Sequence, residues 1–501
     1  MGLMRTKPVE DVLAQGGDDP AEATGAAGQG GGTSNRLRRR LGPFDLMGFG
    51  IGIVIGTGIF TLTGVEAKNH AGPGVIFSFL IAGAVALLAA LCYAELASAV
   101  PTAGSAYTYA YATLGEPVAW IIGWDLILEF ALGASVVSRG WSGYLGDLFG
   151  LPTTFFGEES VINLGAMGIV AVLGVIAVVG IRESARVTNT LVFIKVAICA
   201  FIVIAGLFFV KASNLSPLVP ASQPAPEGTS GLSQPLSQVV FGIAPSAFGI
   251  AGVLTAAAVV FFAYTGFEAL ANLSEETKRP QRDMPLGLLG TLGISTVLYM
   301  GVSFVVVGMV KYTEIDEGAP IASAFRAAGA GWAATLVSIA AVAGLTSVIL
   351  VDLVGMGRIG YAISRDGLLP PSFGRVHPRW GTPYLVTIGT TVLVMAIAGF
   401  VPLKELADLV SIGTLFAFIV VSVAVAILRR TRPDMKRPFR VPLSPVVPIV
   451  TALACLYLMT NLSVATWLRF AAWMVVGMLI YLAYGRRHAR LATVEARTAA
   501  R

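Results

Sequence analysis

Two glycine-interrupted apolar segments and six ionisable residues inside apolar runs are where this chain could do chemistry. The first segment is Gly48-Phe-Gly-Ile-Gly-Ile-Val-Ile-Gly-Thr-Gly-Ile-Phe60. Glycine costs about 1 kcal/mol against alanine in a helix interior. The run holds five of them, including Gly52, Gly56 and Gly58, which invites a break. A broken helix frees N–H and C=O groups that hydrocarbon cannot satisfy, so it persists only where protein, water or a ligand meets them. A half-helix restarting near Thr57 and Gly58 would offer N–H groups and a positive dipole end to a carboxylate. Close helix packing through small residues is the alternative. The second segment runs from Phe261 to Glu276, with Gly266 flanked by aromatics and followed by Glu268 and Asn272.

The ionisable residues within apolar runs are Asp125, Glu129, Arg139, Lys195, Glu268 and Asp352. Each costs about 2.5–3.5 kcal/mol at a bilayer centre on insertion scales, which makes each a functional candidate. Glu129 and Lys195 are the deepest opposite charges. They read either as a structural pair or, for the lysine, as an amine that changes charge during a cycle. Asp45, Glu95 and Asp408 sit nearer the ends of their runs, within reach of water. Between the second and third runs, residues 101–117 are rich in tyrosine, which suits a membrane interface.

The elements that must carry these residues follow from composition. Of 501 residues 55% are apolar and 13% charged, with a mean hydropathy of +0.78. Soluble domains carry about 25% charged residues, so a soluble multidomain enzyme is excluded. A bilayer core of about 30 Å needs roughly 20 apolar residues per helix. Twelve such windows are present: 44–66, 75–99, 117–141, 163–181, 187–210, 247–273, 286–310, 332–362, 383–401, 405–428, 444–463 and 466–484. The window at 332–362 must tilt or project past the membrane.

Residues 1–40 read as a disordered tail with a basic end. If both termini are cytoplasmic, 26 of the 34 Lys and Arg fall in cytoplasmic segments and 6 in outer ones. That bias favours an even number of spans. The basic clusters are short and flank apolar helices, so nucleic acid is not a partner. Cys92, Cys199 and Cys455 lie in apolar runs and indicate no disulfide framework. The three histidines (His70, His377 and His488) fall in loops or tails. No HExxH, CxxC or GxSxG occurs. No metal or cofactor is expected.

Paired interrupted helices in two halves of a chain mark a binding site between inverted repeats. The first and sixth windows correspond in this way if helices 1–5 repeat as 6–10. Five ordered matches carry a family resemblance: Gly52-Ile-Val-Ile-Gly-Thr-Gly-Ile-Phe60, Pro101-Thr-Ala-Gly-Ser-Ala-Tyr107, Gly123-Trp-Asp-Leu-Ile-Leu-Glu129, Phe262-Ala-Tyr-Thr-Gly-Phe-Glu268 with Glu275-Glu276, and Arg358-Ile-Gly-Tyr-Ala-Ile-Ser-Arg-Asp-Gly-Leu-Leu369. They cover helices 1 to 8. Together they resemble the amino acid–polyamine–organocation (APC) superfamily, in its bacterial cationic amino acid transporter-like branch.

The resemblance implies an all-α polytopic membrane protein with a 5+5 inverted-repeat (LeuT-like) fold and 12 transmembrane helices, helices 1 and 6 broken. The segments are then 41–212 for helices 1–5, 213–246 for an extracellular loop and 247–428 for helices 6–10. A basic cytoplasmic loop at 429–443, helices 11–12 at 444–485 and a cytoplasmic tail at 486–501 complete the chain. Gly56, Thr57 and Gly58 would offer N–H groups to a substrate carboxylate. Carbonyls near Val54, Ile55, Phe262, Ala263 and Thr265 would receive its ammonium, with Phe262 part of an occluding gate. Lys195 matches the lysine that, in proton-dependent relatives, stands where others bind sodium. Its amine would reach the broken part of helix 1 and helix 8. Glu129 matches the family's helix 3 glutamate. Asn272 and Asp352 depart from the pattern: a threonine is usual at the first, and an apolar or small residue at the second, facing the substrate side chain.

The reading is a secondary amino acid transporter of the plasma (inner) membrane with the proton as coupling ion. Its substrate is cationic (arginine, lysine or ornithine) or broad. A carrier of small neutral amino acids and a transporter-like amino acid sensor or channel are the alternatives. An embedded enzyme would need a nucleophile–base pair or metal ligands inside the membrane, and no window holds a histidine. Beyond substrate and lipid no stable protein partner is expected.

Overall fold

The computed structural model describes residues 41–99, 105–157, 160–180, 185–225 and 231–489. The two predicted tails, apart from residues 486–489, and residues 101–104 of the tyrosine-rich segment lie outside the described residues, as do the side chains of Asn272 and Glu275. Twelve main helices follow in order: α1 (Pro43–Val54), α2 (Val75–Ala99), α3 (Glu116–Phe149), α4 (Leu164–Val179), α5 (Ala185–Leu207), α6 (Gly249–Val260), α7 (Pro280–Met309), α8 (Gly331–Arg365), α9 (Tyr384–Phe400), α10 (Leu403–Thr431), α11 (Val446–Thr460) and α12 (Val464–Ile480). Eight helical stretches are long and apolar enough to cross a membrane, and four shorter apolar helices fall in the remaining windows. Among the described residues the only sheet is a two-residue antiparallel pair, β1 (Gln223–Pro224) with β2 (Ser246–Ala247), in the connection before α6.

The helix ends obey ordinary capping rules. Pro43 stands in the first turn of α1, where the Asp45 carboxylate accepts the Gly42 N–H at 2.8 Å. Asn163 and Ser463 cap α4 and α12 through bonds from the N–H groups of Ala166 and Thr466. α3 ends on Gly150 at φ +63°, the left-handed turn that favours glycine. Large apolar side chains such as Val172, Leu393 and Val475 stay exposed on α4, α9 and α12, as a lipid-facing surface requires.

The core that positions the site is made by α3 packed along α8, and by α7 packed against α1 and α2. α8 has 35 residues, about 52 Å at 1.5 Å each, so it exceeds the hydrocarbon thickness as its window demanded. α3 runs eight residues past its window, because Tyr144 in that extension binds inward to the Phe60 carbonyl at 2.7 Å.

Four expectations change. His70 lies on a helical turn, Ala67–Ala71, continuing the first window, with Nδ1 2.7 Å from Glu66 Oε2. Glu95 does not reach water: it is 2% exposed and accepts from Arg429 and from the Val441 N–H. Asp408 is buried, accepting from Thr466. Tyr107, Tyr109 and Tyr111, on the short helix Ser105–Thr113, are buried between helices and not at an interface; Tyr107 donates to Asp366 at 2.8 Å.

Candidate functional site

Helix 1 stops at Val54, where Ile55 turns extended at φ −74°, ψ 98°. It resumes at Gly58 as a π-helical turn, Gly58–Leu62, with Thr57 before it. Glycine permits this because the second half runs hard against its neighbour: a Cβ on Gly58 would strike the backbone of Ala263. Among the described residues the N–H groups of Gly56, Thr57 and Gly58 donate no hydrogen bond. They are the orphan donors of a helix N-terminus.

Helix 6 is interrupted at the same place in the bundle. After α6 the chain tightens into a 3₁₀ turn, Phe261–Tyr264, then extends at Thr265. Gly266 takes φ +96°, and a second 3₁₀ segment, Phe267–Glu276, follows. This break satisfies itself. Thr265 bonds the Phe262 carbonyl through both N–H (3.1 Å) and Oγ1 (2.9 Å). The Glu268 carboxylate accepts the Gly266 N–H at 2.9 and 3.1 Å.

Between the breaks lies a narrow cavity, with about 460 Å³ of empty space when its open mouth is included. Val54, Gly56, Thr57, Gly58, Phe262, Ala263, Thr265, Glu129 and Asp352 all line it. Two of the candidate residues do not. Ile55 is fully buried behind the wall. Lys195 is 1% exposed; its Nζ donates to the Gly52 carbonyl at 2.5 Å, and its stem lies against Gly344 of α8. The lysine thus ties α5 to the end of α1 and to α8.

The buried charges sort by their partners. Arg139 caps the end of α9, donating to the carbonyls of Ala398 (2.8 Å) and Gly399 (3.2 Å). Glu129 accepts from Thr414 at 2.7 Å and meets the carboxyl of Glu268. No ion pair joins Lys195 to Glu129 or to Asp352 among the described residues. The Asp352 carboxylate lies on the cavity wall beside α3, where a Cβ on Gly133 would be 3.2 Å from Oδ2. Among the described residues no group of His, Cys, Asp and Glu is arranged to hold a metal ion.

A family model for amino acid permeases matches residues 41–482. The chain belongs to the amino acid permease family. This permease is 41% identical over 499 residues to a methylthioribose transporter of Bacillus subtilis (strain 168), covering 98% of this chain and 99% of the relative. It is 42% identical over 470 residues to a branched-chain amino acid permease of the same organism, covering 91% and 95%. It is 37% identical to a vacuolar cationic amino acid transporter 4 of Arabidopsis thaliana, covering 86% and 68%. The permease is accordingly a transporter and not an enzyme, and a multi-pass membrane protein.

Sequence reasoning passed over one residue in the permease that touches both breaks. Tyr299 of α7 is fully buried, and its hydroxyl faces the carbonyls of Val54 (2.6 Å) and Ala263 (3.0 Å). A single tyrosine in an apolar window reads as core, and nothing in its spacing announces two backbone partners. Gly133 was also missed, although its run Gly133-Ala-Ser135 of small residues on a helix bearing Glu129 was a usable signal.

Proposed function

We propose that the protein is a secondary active carrier of amino acids that works by alternating access with the proton as coupling ion, and that it takes substrates with a cationic side chain. The substrate carboxylate binds the N–H groups of Gly56, Thr57 and Gly58, where a helix dipole and undonated hydrogens coincide. The ammonium lies among the carbonyls of the two breaks, and Phe262 closes over it. Lys195 and Glu129 carry the proton dependence. The lysine's bond to Gly52 makes its charge state bear directly on the first half of helix 1.

The observation that carries the substrate assignment is the Asp352 carboxylate. It lines the same cavity and forms no ion pair among the described residues. A buried carboxylate calls for a cation, and guanidinium answers with a bidentate, charge-assisted pair. Asp352→Ala or Asp352→Met should weaken arginine binding by about 2–3 kcal/mol, in the range of a hydrogen bond to a charged group. Alanine or leucine binding should hold or improve. Ligand-induced thermal stabilisation of the purified protein measures both. Equal losses for arginine and alanine would leave a small neutral amino acid as the substrate.

A second reading comes from the relative named a methylthioribose transporter, which matches almost end to end. A thiosugar has neither carboxylate nor ammonium, so stabilisation by methylthioribose alone in the same panel would remove the helix-break chemistry. Binding without counterflow of labelled amino acid in liposomes would mark a sensor. Lys195→Ala should abolish accumulation driven by a pH gradient.

A further inference from the structure

α3 carries a second carboxyl one turn before Glu129. Asp125 is 0% exposed, and neither of its oxygens has a hydrogen-bond partner among the described residues. It abuts α10 where that helix is thinnest: a Cβ on Gly413 would lie 2.9 Å from Asp125 Oδ1. The next residue of α10, Thr414, holds Glu129. Glu129 meets Glu268, and both line the cavity, while Asp125 does not. Three carboxyls therefore run in file from the cavity wall into the seam between α3 and α10.

The groups facing that file are few. From α3 itself Asp125 faces Glu129. From α10 it meets Gly413, and Thr414 beside it carries no charge. From helix 6 comes Glu268, and from α8 comes Asp352, which acts on Glu129 from the same cavity wall. From α2 comes Tyr93, which feels the charge of all three carboxyls and whose hydroxyl has no partner among the described residues. Tyr109, on the short helix Ser105–Thr113, is near enough to act electrostatically on Tyr93. No cation pairs with Asp125 or Glu129 among the described residues. An ionised carboxylate with neither protein donors nor a counter-ion is costly at so buried a place. The occupant that fits Asp125 is a proton.

We propose that Asp125 is a proton-binding site, the buried end of a carboxyl file that begins at the cavity with Glu268 and Glu129. Residues four apart on a helix stand about 5–6 Å apart at Cβ, so carboxyl rotation brings Asp125 and Glu129 within reach of each other. In the transfer the O–H bond of Asp125 breaks as one forms on an ionised Glu129, and in the return the O–H bond of Glu129 breaks as one forms on Asp125. Glu129, on the cavity wall, exchanges its proton with water entering the cavity. Lys195, across the cavity, takes no part in this transfer. The inference rests on the proton-coupled reading above.

The test uses the full chain, wild type and Asp125→Asn, in liposomes with labelled arginine. The variant keeps size and shape and removes the exchangeable proton. Expected is at least a tenfold loss of accumulation driven by a pH gradient, with counterflow at equal pH kept within threefold. Accumulation equal to wild type in Asp125→Asn overturns the inference, since a merely packed carboxyl is indifferent to the change. A second measurement stands if the variant does not fold. Infrared difference spectra of wild type, taken with and without arginine, should show a change in a protonated-carboxyl C=O band. Glu129→Gln should keep part of that band, because Asp125 remains. No such band in wild type overturns the site. If wild type itself shows no gradient-driven accumulation, the coupling reading falls, and the infrared comparison decides Asp125 on its own.

Discussion

The breaks in helices 1 and 6 face one cavity and are built in opposite ways. In helix 1 the backbone around Gly56 is left open. Its N–H groups have no acceptor among the described residues, and a Cβ on Gly56 would meet only Val348, at 3.8 Å. In helix 6 the freed groups are already spoken for: Thr265 holds the Phe262 carbonyl and Glu268 holds the Gly266 N–H. Two breaks that face one cavity can thus serve different ends. One is an incomplete site that a ligand finishes, and the other is a finished wall with a bend in it.

The sharpest way to break that contrast is at Gly58. Gly58→Leu drives a side chain into the Ala263 backbone and fills the approach to the N–H groups. All ligand-induced stabilisation should vanish while the protein still inserts. Uptake at the wild-type level would remove helix 1 from the site.

Next in size is the self-capping of helix 6. Glu268→Ala strips the Gly266 N–H of its acceptor inside the protein, at a cost of about 1–3 kcal/mol for an orphaned buried donor. The loss should appear in the melting temperature without ligand. A melting temperature that does not move would mean the break is not held by its own carboxylate.

Tyr299→Phe is a smaller change. It removes one hydroxyl that serves both breaks, so the ligand-free fold should lose about 0.5–1.5 kcal/mol. Denaturation midpoints of the two proteins give the comparison, and a loss above that range would show that the ring, and not the bond, was disturbed.

The smallest effect expected is at Gly56, which does not have a positive φ. Gly56→Ala should raise the stability of the empty protein by about 0.4–1 kcal/mol through the unfolded chain. The same methyl intrudes where the carboxylate belongs, so ligand stabilisation should shrink. A gain in both would place the ligand away from helix 1.

The spans, both breaks and the convergence of Val54, Gly56–Gly58, Phe262, Ala263, Thr265, Glu129 and Asp352 were legible because they rest on local signals: apolar length, glycine within apolar runs, and charge where charge is costly. Lys195 could be directed to helix 1 only through the family resemblance, and its bond is to Gly52. What escaped depends on partners distant in sequence. Glu95 looked like a residue near a span end until Arg429, 334 positions later, folded onto it. The tyrosines at 107–111 have interfacial chemistry, yet burial among helices overrode it. Arg139 and Lys195 are alike as letters, and only the carbonyls they meet separate a helix cap from a tie to the broken helix.

The Tyr299 hydroxyl has one hydrogen and two carbonyls before it, 2.6 and 3.0 Å away. A slide of helix 1 that lengthens the contact to Val54 leaves the Ala263 carbonyl within reach of the same hydrogen. In mechanical terms α7 provides a bearing and not a bolt. One hydroxyl can hold the two interrupted helices together without fixing either to the other.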